Sequence, residues 1–279
     1  MHPGMIETTY AIGDIHGRLD LLDQLLSLIE TDATERGTTA KIVFTGDYVD
    51  RGADSFGVVE RLIAGPRRQG DTFVCLKGNH DDLFVKAITV GDGLPDWAWT
   101  MFWHTIGSYG AKADNWKVSP RLRRHAAFLS ILPLTHDDGT NFFVHAGIRP
   151  GTPIEDQVEY DLLWIREEFL LHEQPMARRI VHGHTIMGDK PIVTRNRVSI
   201  DTGAYRSGLL TAAVLVGEDV SFLQAIGPID RHALVREELL GAQLAGRSVS
   251  PTVQDAYEAF LAGDIDLPEM QERKNRESV

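Results

Sequence analysis

Apolar residues along the chain follow two different rhythms. Residues 7–12 (ETTYAI) and the runs Ile42-Val43-Phe44 and Phe73-Val74-Cys75-Leu76 are short, apolar and closed by turn residues, which predicts buried strands. Leu19, Leu22, Leu26 and Ile29 recur at helical spacing and predict a helix over 18–30. Residues 54–64 predict a second helix, with Asp54 and Ser55 as natural caps. From 91 to 130 the pattern changes. Trp97, Trp99, Trp103 and Trp116 gather around a Gly-Ser-Tyr-Gly turn at 107–110, and we read this stretch as a helical insertion beside the main sheet. Strand-like runs return at 140–145, 178–183, 191–193, 197–200, 209–215 and 219–224, and the short spacings between the last four predict antiparallel pairing. Helices are expected at about 231–243 and 252–263, and residues 264–279 are expected to form a flexible tail. With no internal repeat, the pattern predicts one α/β domain over 1–279, a two-sheet β-sandwich flanked by helices.

Composition narrows the class. Apolar residues make up 43% of the 279 and charged residues 24%, enough apolar material for a core that holds a site rigidly. Cys75 is the single cysteine, so no intrachain disulfide forms and a reducing compartment fits. No apolar run approaches the roughly 18 residues of a spanning helix, and the N-terminus lacks a basic region followed by an apolar one. The expectation is a cytoplasmic protein with no membrane partner, and nothing in the sequence sets an oligomeric state. A net charge of −12 repels nucleic-acid backbones and argues against a nucleic-acid partner. It does not exclude a phosphate substrate, because bound cations reverse the sign locally.

Five short blocks place metal-binding or acid–base residues directly after an apolar strand. They are Gly13-Asp14-Ile15-His16-Gly17, Gly46-Asp47-Tyr48-Val49-Asp50-Arg51-Gly52, Gly78-Asn79-His80-Asp81, Val144-His145-Ala146-Gly147 and His182-Gly183-His184-Thr185. In open α/β folds ligands sit beyond the carboxyl ends of the strands, so five such ends converge on one edge. Asp14, His16, Asp47, Asn79, His145 and His184 offer mixed oxygen and imidazole donors. Six donors are too many for one ion that keeps an open position, and they suit two ions when one carboxylate bridges. Ligation without thiolate points to manganese, iron, zinc or cobalt and away from a structural zinc site.

The blocks resemble the phosphoprotein phosphatase superfamily of calcineurin-like metallophosphoesterases, whose signature runs GDxHG, GDxxDRG and GNH plus an acidic residue, followed by histidines. All three blocks are intact, in order, and about 30 residues apart, and the resemblance covers roughly residues 7–215. VHAGIRP, HGHT and IDTGA bring it closest to the bacterial and phage-type serine/threonine or dual-specificity enzymes. The resemblance implies that Asp14 and His16 bind one divalent ion, that Asp47 bridges, and that Asn79, His145 and His184 complete the second, with manganese favoured. It makes His80 the general acid, oriented by Asp50, and gives Arg51 the phosphate oxygens. Arg166, after Leu-Leu-Trp164, is preferred over Arg149 as a second phosphate contact. The implied chemistry is in-line attack on phosphorus by a hydroxide activated by two ions, with a histidine protonating the leaving oxygen.

The expected substrate is a phosphoprotein or small phosphate ester, carrying phosphoserine, phosphothreonine or phosphotyrosine. The alternative is a dinucleoside polyphosphate, for which the tryptophan-rich insertion supplies an aromatic clamp. A catalytically silent binding module is disfavoured because no ligand, nor His80 or Asp50, is lost. A nuclease is disfavoured because position 186 is Ile186 where such enzymes carry a further histidine. Plainer readings apply elsewhere. Cys75 reads as a small buried apolar residue. His182, two positions before His184, reads as a packing or hydrogen-bonding neighbour, and His104, His125, His136 and His172 as structural or exposed. Asp201, in IDTGA, resembles a family block near the site and is given no role, and Asp81 stands where many relatives in the resembled family carry glutamate.

Overall fold

In the computed structural model, residues 7–91, 93–112 and 116–275 are described. They form two compact units, Met1–Pro228 and Ile229–Val279.

The first unit contains ten strands: β1 (Glu7–Ile12), β2 (Thr39–Phe44), β3 (Thr72–Cys75), β4 (Thr135–Asp137), β5 (Asn141–Val144), β6 (Arg179–His182), β7 (Ile192–Val193), β8 (Arg197–Ser199), β9 (Leu209–Val216) and β10 (Asp219–Ile226). They make two five-stranded sheets, ordered β10-β9-β1-β2-β3 and β4-β5-β6-β8-β7. Each sheet has three parallel strands, β1-β2-β3 in one, with the antiparallel pair β9 and β10 beside β1, and β5-β6-β8 in the other, with antiparallel β4 and β7 at its edges.

Period-two alternation decides which residues fill which layer. Ala11, Val43, Phe143, Val181 and Val198 point into the seam between the sheets, together with Ile200 and Ala213. Their neighbours Tyr10, Ile12, Ile42 and Phe44 face the opposite way, against α1 (Leu19–Glu35), α2 (Ser55–Ala64), α3 (Asn79–Thr89), α4 (Asp96–Ser108) and α5 (Pro120–Ser130). On the far side of the second sheet Phe142, Val144 and Ile180 pack against α6 (Glu159–Trp164) and α7 (Glu167–Leu170). This is why the strands read as unbroken apolar runs: both of their faces are covered.

Helix ends follow local chemistry. The Asp54 carboxylate accepts the Gly57 N–H at 2.7 Å and starts α2, and Gly65 at φ 75° ends it. The first helix runs five residues beyond the predicted 30, since Ala33 still packs in the core, and Gly37 at φ 67° follows its end.

The expected antiparallel pairing of the last four strands holds within each pair only. β7 pairs with β8, and β9 with β10, but the two pairs lie in different sheets, and β8 also runs parallel to β6. The chain crosses between sheets through 200–208, a segment that holds Asp201 and the short helix α8 (Ala204–Ser207). Gly203 and Gly208 flank that helix with φ of 67° and 72°. A short gap in sequence therefore conceals a change of layer.

In the stretch read as an insertion, α4 and α5 are helical, and residues 92 and 113–115 lie outside the described chain. Trp99, Trp103 and Trp116 contact one another and Phe102; Trp116 is buried in the core, Trp99 packs partly buried against it and Trp103 is exposed.

The second unit holds α9 (Arg231–Leu244), α10 (Pro251–Ala262) and α11 (Leu267–Asn275) around Leu234, Val235, Tyr257, Phe260, Ile265 and Met270. The third helix occupies residues expected to be a flexible tail, because Met270 is buried and anchors a segment otherwise rich in charge. Residues 276–279 of that expected tail lie outside the described chain. No helix among the described residues is long and apolar enough to cross a membrane.

Candidate metal centre and active site

Six parallel strands, three from each sheet, deliver their C-terminal ends to one edge. Asp14 and His16 follow β1, Asp47 follows β2, and Asn79 and His80 follow β3. On the other sheet His145 follows β5, His184 follows β6 and Asp201 follows β8. The structure brings Asp14, His16, Asp47, Asn79, His145 and His184 together, and all are buried.

Two overlapping clusters share Asp47. His16 Nε2 lies 3.4 Å from Asp47 Oδ2, and His145 Nε2 lies 3.5 Å from Asp47 Oδ1, so each carboxylate oxygen faces a different histidine. Asn79 Oδ1 is 2.8 Å from His145 Nε2 and 3.1 Å from His184 Nδ1. Ligand atoms of His16, Asp47 and His80, and of Asp47, His145 and His184, each fall within 4.8 Å of one another.

The clusters depend on strained loops. The non-glycine residues with positive φ among the described residues are His16, Asp47, Asp50, Arg51 and His184, all inside the sequence blocks. Each such conformation costs about 1–3 kcal/mol and persists only where the surroundings over-determine it. Here the loops after β1 and β2 are zipped together. Ile15 and His16 N–H donate to the Asp47 carbonyl at 3.2 and 2.9 Å, Gly17 N–H to Tyr48 and Gly52 N–H to His16. Two glycines are dictated by close approach. A Cβ on Gly78 would lie 2.1 Å from Asp47 Oδ1, and one on Gly183 would lie 2.0 Å from Asp14 Oδ1.

Asp81 is the clamp beneath this arrangement. Its carboxylate accepts backbone N–H groups of Asp47 at 2.8 Å, Gly78 at 2.9 Å and Tyr48 at 3.0 Å, and it is fully buried. Burial and the neighbouring Asp47 push its pKa up to about 7, against those three donors. The short Asp81 side chain thus sits against the backbone itself. Asp81→Ala leaves three buried donors unmatched, at about 1–3 kcal/mol each. The expected loss is about 3 kcal/mol or more, a fall of roughly 6–12 °C in Tm for a unit of this size, measured by thermal unfolding; a fall under about 2 °C would contradict the clamp.

Ring nitrogens are prepared for cations. His16 Nδ1 and His145 Nδ1 are held by the carbonyls of Val49 at 2.8 Å and Thr45 at 2.9 Å, leaving Nε2 turned to the cluster. Burial drives His16 well below the ordinary histidine pKa and lowers His145, in both cases against the pull of Asp47. Burial, aided by His145 and Arg166, takes His184 down to about 2. Burial thus favours the neutral ring, the form that binds a metal. Burial and then Asp201 and Asp47 raise Asp14 well above the carboxylate range, and burial lifts Asp201 to about 6. Burial opposes ionisation of Asp47 too, but attraction to the histidines around it, His145 first, outweighs burial and lowers its pKa below the ordinary carboxylate value. Asp14 Oδ1 and His184 Nε2 are buried without a hydrogen-bond partner. Crowded carboxylates, neutral imidazoles and orphaned donor atoms fit divalent cations.

Around the clusters stand the groups the sequence singled out for acid and phosphate-binding roles. His80 Nδ1 lies 2.6 Å from Asp50 Oδ2, and its backbone N–H donates to Asp47 Oδ1 at 2.9 Å. Burial disfavours charge on His80, yet Asp47 and the hydrogen bond to Asp50 together raise its pKa. Arg51 is half-buried, lies over the Tyr205 ring at 4.5 Å and donates to the Tyr205 hydroxyl. Arg149 is locked by Asp161 at 2.6 and 2.8 Å and by Glu168 at 2.5 Å. Arg166 is exposed, and its charge acts on His145 and His184. Of the two arginines, Arg149 is the one whose guanidinium is engaged by carboxylates, Asp161 and Glu168. His182 is tied to Ser199 Oγ at 2.7 Å and to the Gly183 carbonyl at 3.0 Å, a structural neighbour of the site.

Three residues escape the sequence blocks. Trp97 stands 6.4 Å from the His80 ring and Trp164 stands 6.2 Å from the His184 ring, and the two tryptophans contact each other edge to face at 6.2 Å. Trp97 was marked only as a member of the tryptophan-rich stretch weighed as an aromatic clamp, and Trp164 only as the last residue of the Leu-Leu-Trp run that locates Arg166. Tyr205 follows the IDTGA block directly, and that adjacency was its one signal.

Comparison with known proteins agrees with this geometry. Residues 8–207 match the family described as calcineurin-like phosphoesterases. The chain is 33% identical over 142 residues to the symmetrical bis(5'-nucleosyl)-tetraphosphatase of Methylococcus capsulatus, a match covering 51% of this chain and 44% of that protein. It is 30% identical over 233 residues to the asymmetrical bis(5'-nucleosyl)-tetraphosphatase PrpE of Anoxybacillus flavithermus, covering 72% of this chain and 87% of that protein. The fold superposes on the crystal structure of a candidate diadenosine tetraphosphatase with a TM-score of 0.57 at 21% identity, over 81% of this chain and 97% of the other. The chain spans less than half the length of the Methylococcus protein.

Proposed function

We propose that this chain, a member of the calcineurin-like phosphoesterases, enzymes that hydrolyse phosphoester bonds, acts on a dinucleoside polyphosphate. The observation that carries this reading is the Trp97–Trp164 pair, one ring beside His80 and the other beside His184. Both are half-buried, so each keeps accessible aromatic surface. A flat base can stack on such a surface, and a phosphoserine side chain cannot. The activity named for the PrpE relative, matched over 87% of its length, supports the same reading.

Asp14, His16 and Asp47 would hold one divalent ion and Asp47, Asn79, His145 and His184 the other. Two such ions supply an activated water at neutral pH and offset charge on the phosphoryl group. Arg51, steadied by Tyr205, and Arg166 present guanidinium groups that fit phosphate oxygens in a bidentate manner. His80 delivers a proton to the departing oxygen, and Asp50 fixes the ring that delivers it.

The test sets diadenosine tetraphosphate against a phosphoserine peptide lacking aromatic residues, with manganese supplied to both. The dinucleotide is expected to have the higher kcat/KM. Trp97→Ala is expected to raise KM for it roughly tenfold, the equivalent of one lost base stack, with the peptide unchanged. A higher kcat/KM on the peptide would restore the protein phosphatase reading that the sequence first suggests.

A further inference from the structure

Asp50 is held by a residue outside every signature block. Thr105 lies one turn from the end of α4, in the tryptophan-rich stretch, and its hydroxyl donates to Asp50 Oδ1 while Oδ2 meets His80. Thr105 is 1% exposed. Its use of that hydroxyl differs from its neighbours: Thr89 and Thr100 bond the carbonyls four residues back, Val85 at 2.8 Å and Asp96 at 3.2 Å.

A carboxylate fixed by one oxygen turns about its broad terminal torsion. A second bond, to the other oxygen, fixes its plane. The Asp50 backbone is set separately, by its N–H to Ser55 Oγ at 3.1 Å in a left-handed conformation. Helix α4 is in turn registered on α2: Phe56 N–H donates to Ser108 Oγ at 3.1 Å, and Ser108 Oγ–H donates to the Thr105 carbonyl at 2.8 Å. Phe102 and Ile106, on either side of Thr105, are buried in the core.

We propose that Thr105 is a positioning residue for the proton donor, fixing the Asp50 carboxylate so that His80 keeps one orientation. The helical insertion is then part of the acid apparatus as well as the rim of the site. The proposal rests on His80 acting as the acid.

The test measures kcat and KM of the metal-loaded protein on phenyl phosphate, a poor leaving group, and p-nitrophenyl phosphate, a good one. Both are aromatic, so contacts with Trp97 cancel. Thr105→Val keeps the shape and removes the hydroxyl, and Thr105→Ser keeps the hydroxyl. Thr105→Val is expected to lower kcat on phenyl phosphate about tenfold, on the scale of a misplaced catalytic group, with much less loss on p-nitrophenyl phosphate and an unchanged KM. Thr105→Ser should recover most of the loss. Equal losses on the two esters, or a serine variant no better than valine, would overturn the proposal. His80→Ala measured in parallel separates the two levels. If His80→Ala discriminates between the esters and Thr105→Val does not, the positioning role falls alone. If His80→Ala shows no discrimination, the acid reading falls and takes this proposal with it.

Discussion

His80→Ala is expected to slow hydrolysis of phenyl phosphate by about 10²-fold or more, the usual contribution of a placed general acid. On p-nitrophenyl phosphate, whose leaving oxygen needs little protonation, the loss is expected to be far smaller. The expectation follows from the arrangement of three groups. Asp50 Oδ2 engages His80 Nδ1 at 2.6 Å, which leaves the other ring nitrogen for proton transfer. Asp47 and Asp50 together favour the protonated ring over the penalty of burial. The His80 backbone is fastened separately, through its N–H to Asp47 Oδ1 at 2.9 Å. Removing the imidazole leaves the six candidate ligands in place, so metal content should stay at the wild-type value. Equal, small losses on both esters would remove His80 from the acid role.

Asp47→Asn is expected to have the larger effect. One oxygen of Asp47 lies 3.4 Å from His16 Nε2 and the other 3.5 Å from His145 Nε2, so this carboxylate belongs to both clusters. An amide presents one oxygen and no charge, and neither cluster keeps its shared anion. Occupancy of both sites should fall together, and turnover by about 10³-fold, since bound ions contribute several kcal/mol of transition-state stabilisation. Loss of one ion with retention of the other would reassign Asp47 to a single site.

Much of the site was legible because metal ligation restricts residue type so strongly. Asp14, His16, Asp47, Asn79, His145 and His184 each follow an apolar run, and the parallel strands carry those ends to one edge. How Arg149 is engaged needed coordinates. Nothing in GIRP indicates that Asp161 and Glu168 hold that guanidinium. Thr105 was illegible for a different reason: a threonine in an amphipathic helix looks the same whether it bonds its own backbone or a carboxylate 55 residues away. The sheet exchange between β8 and β9 was hidden because strand patterning records burial and carries no layer label. Asp81 appeared as a conservative replacement, and only its three backbone donors reveal it as a clamp.

Two-ion hydrolysis is tested most directly by following turnover against metal content. Wild-type protein is stripped with a chelator and resupplied with manganese, with Asp47→Asn alongside, and both ion content and hydrolysis of diadenosine tetraphosphate are recorded. Activity that is absent from the stripped protein, returns as two ions per chain are bound and never returns in Asp47→Asn is the predicted result. Full turnover by wild-type protein from which all metal has been removed would contradict it.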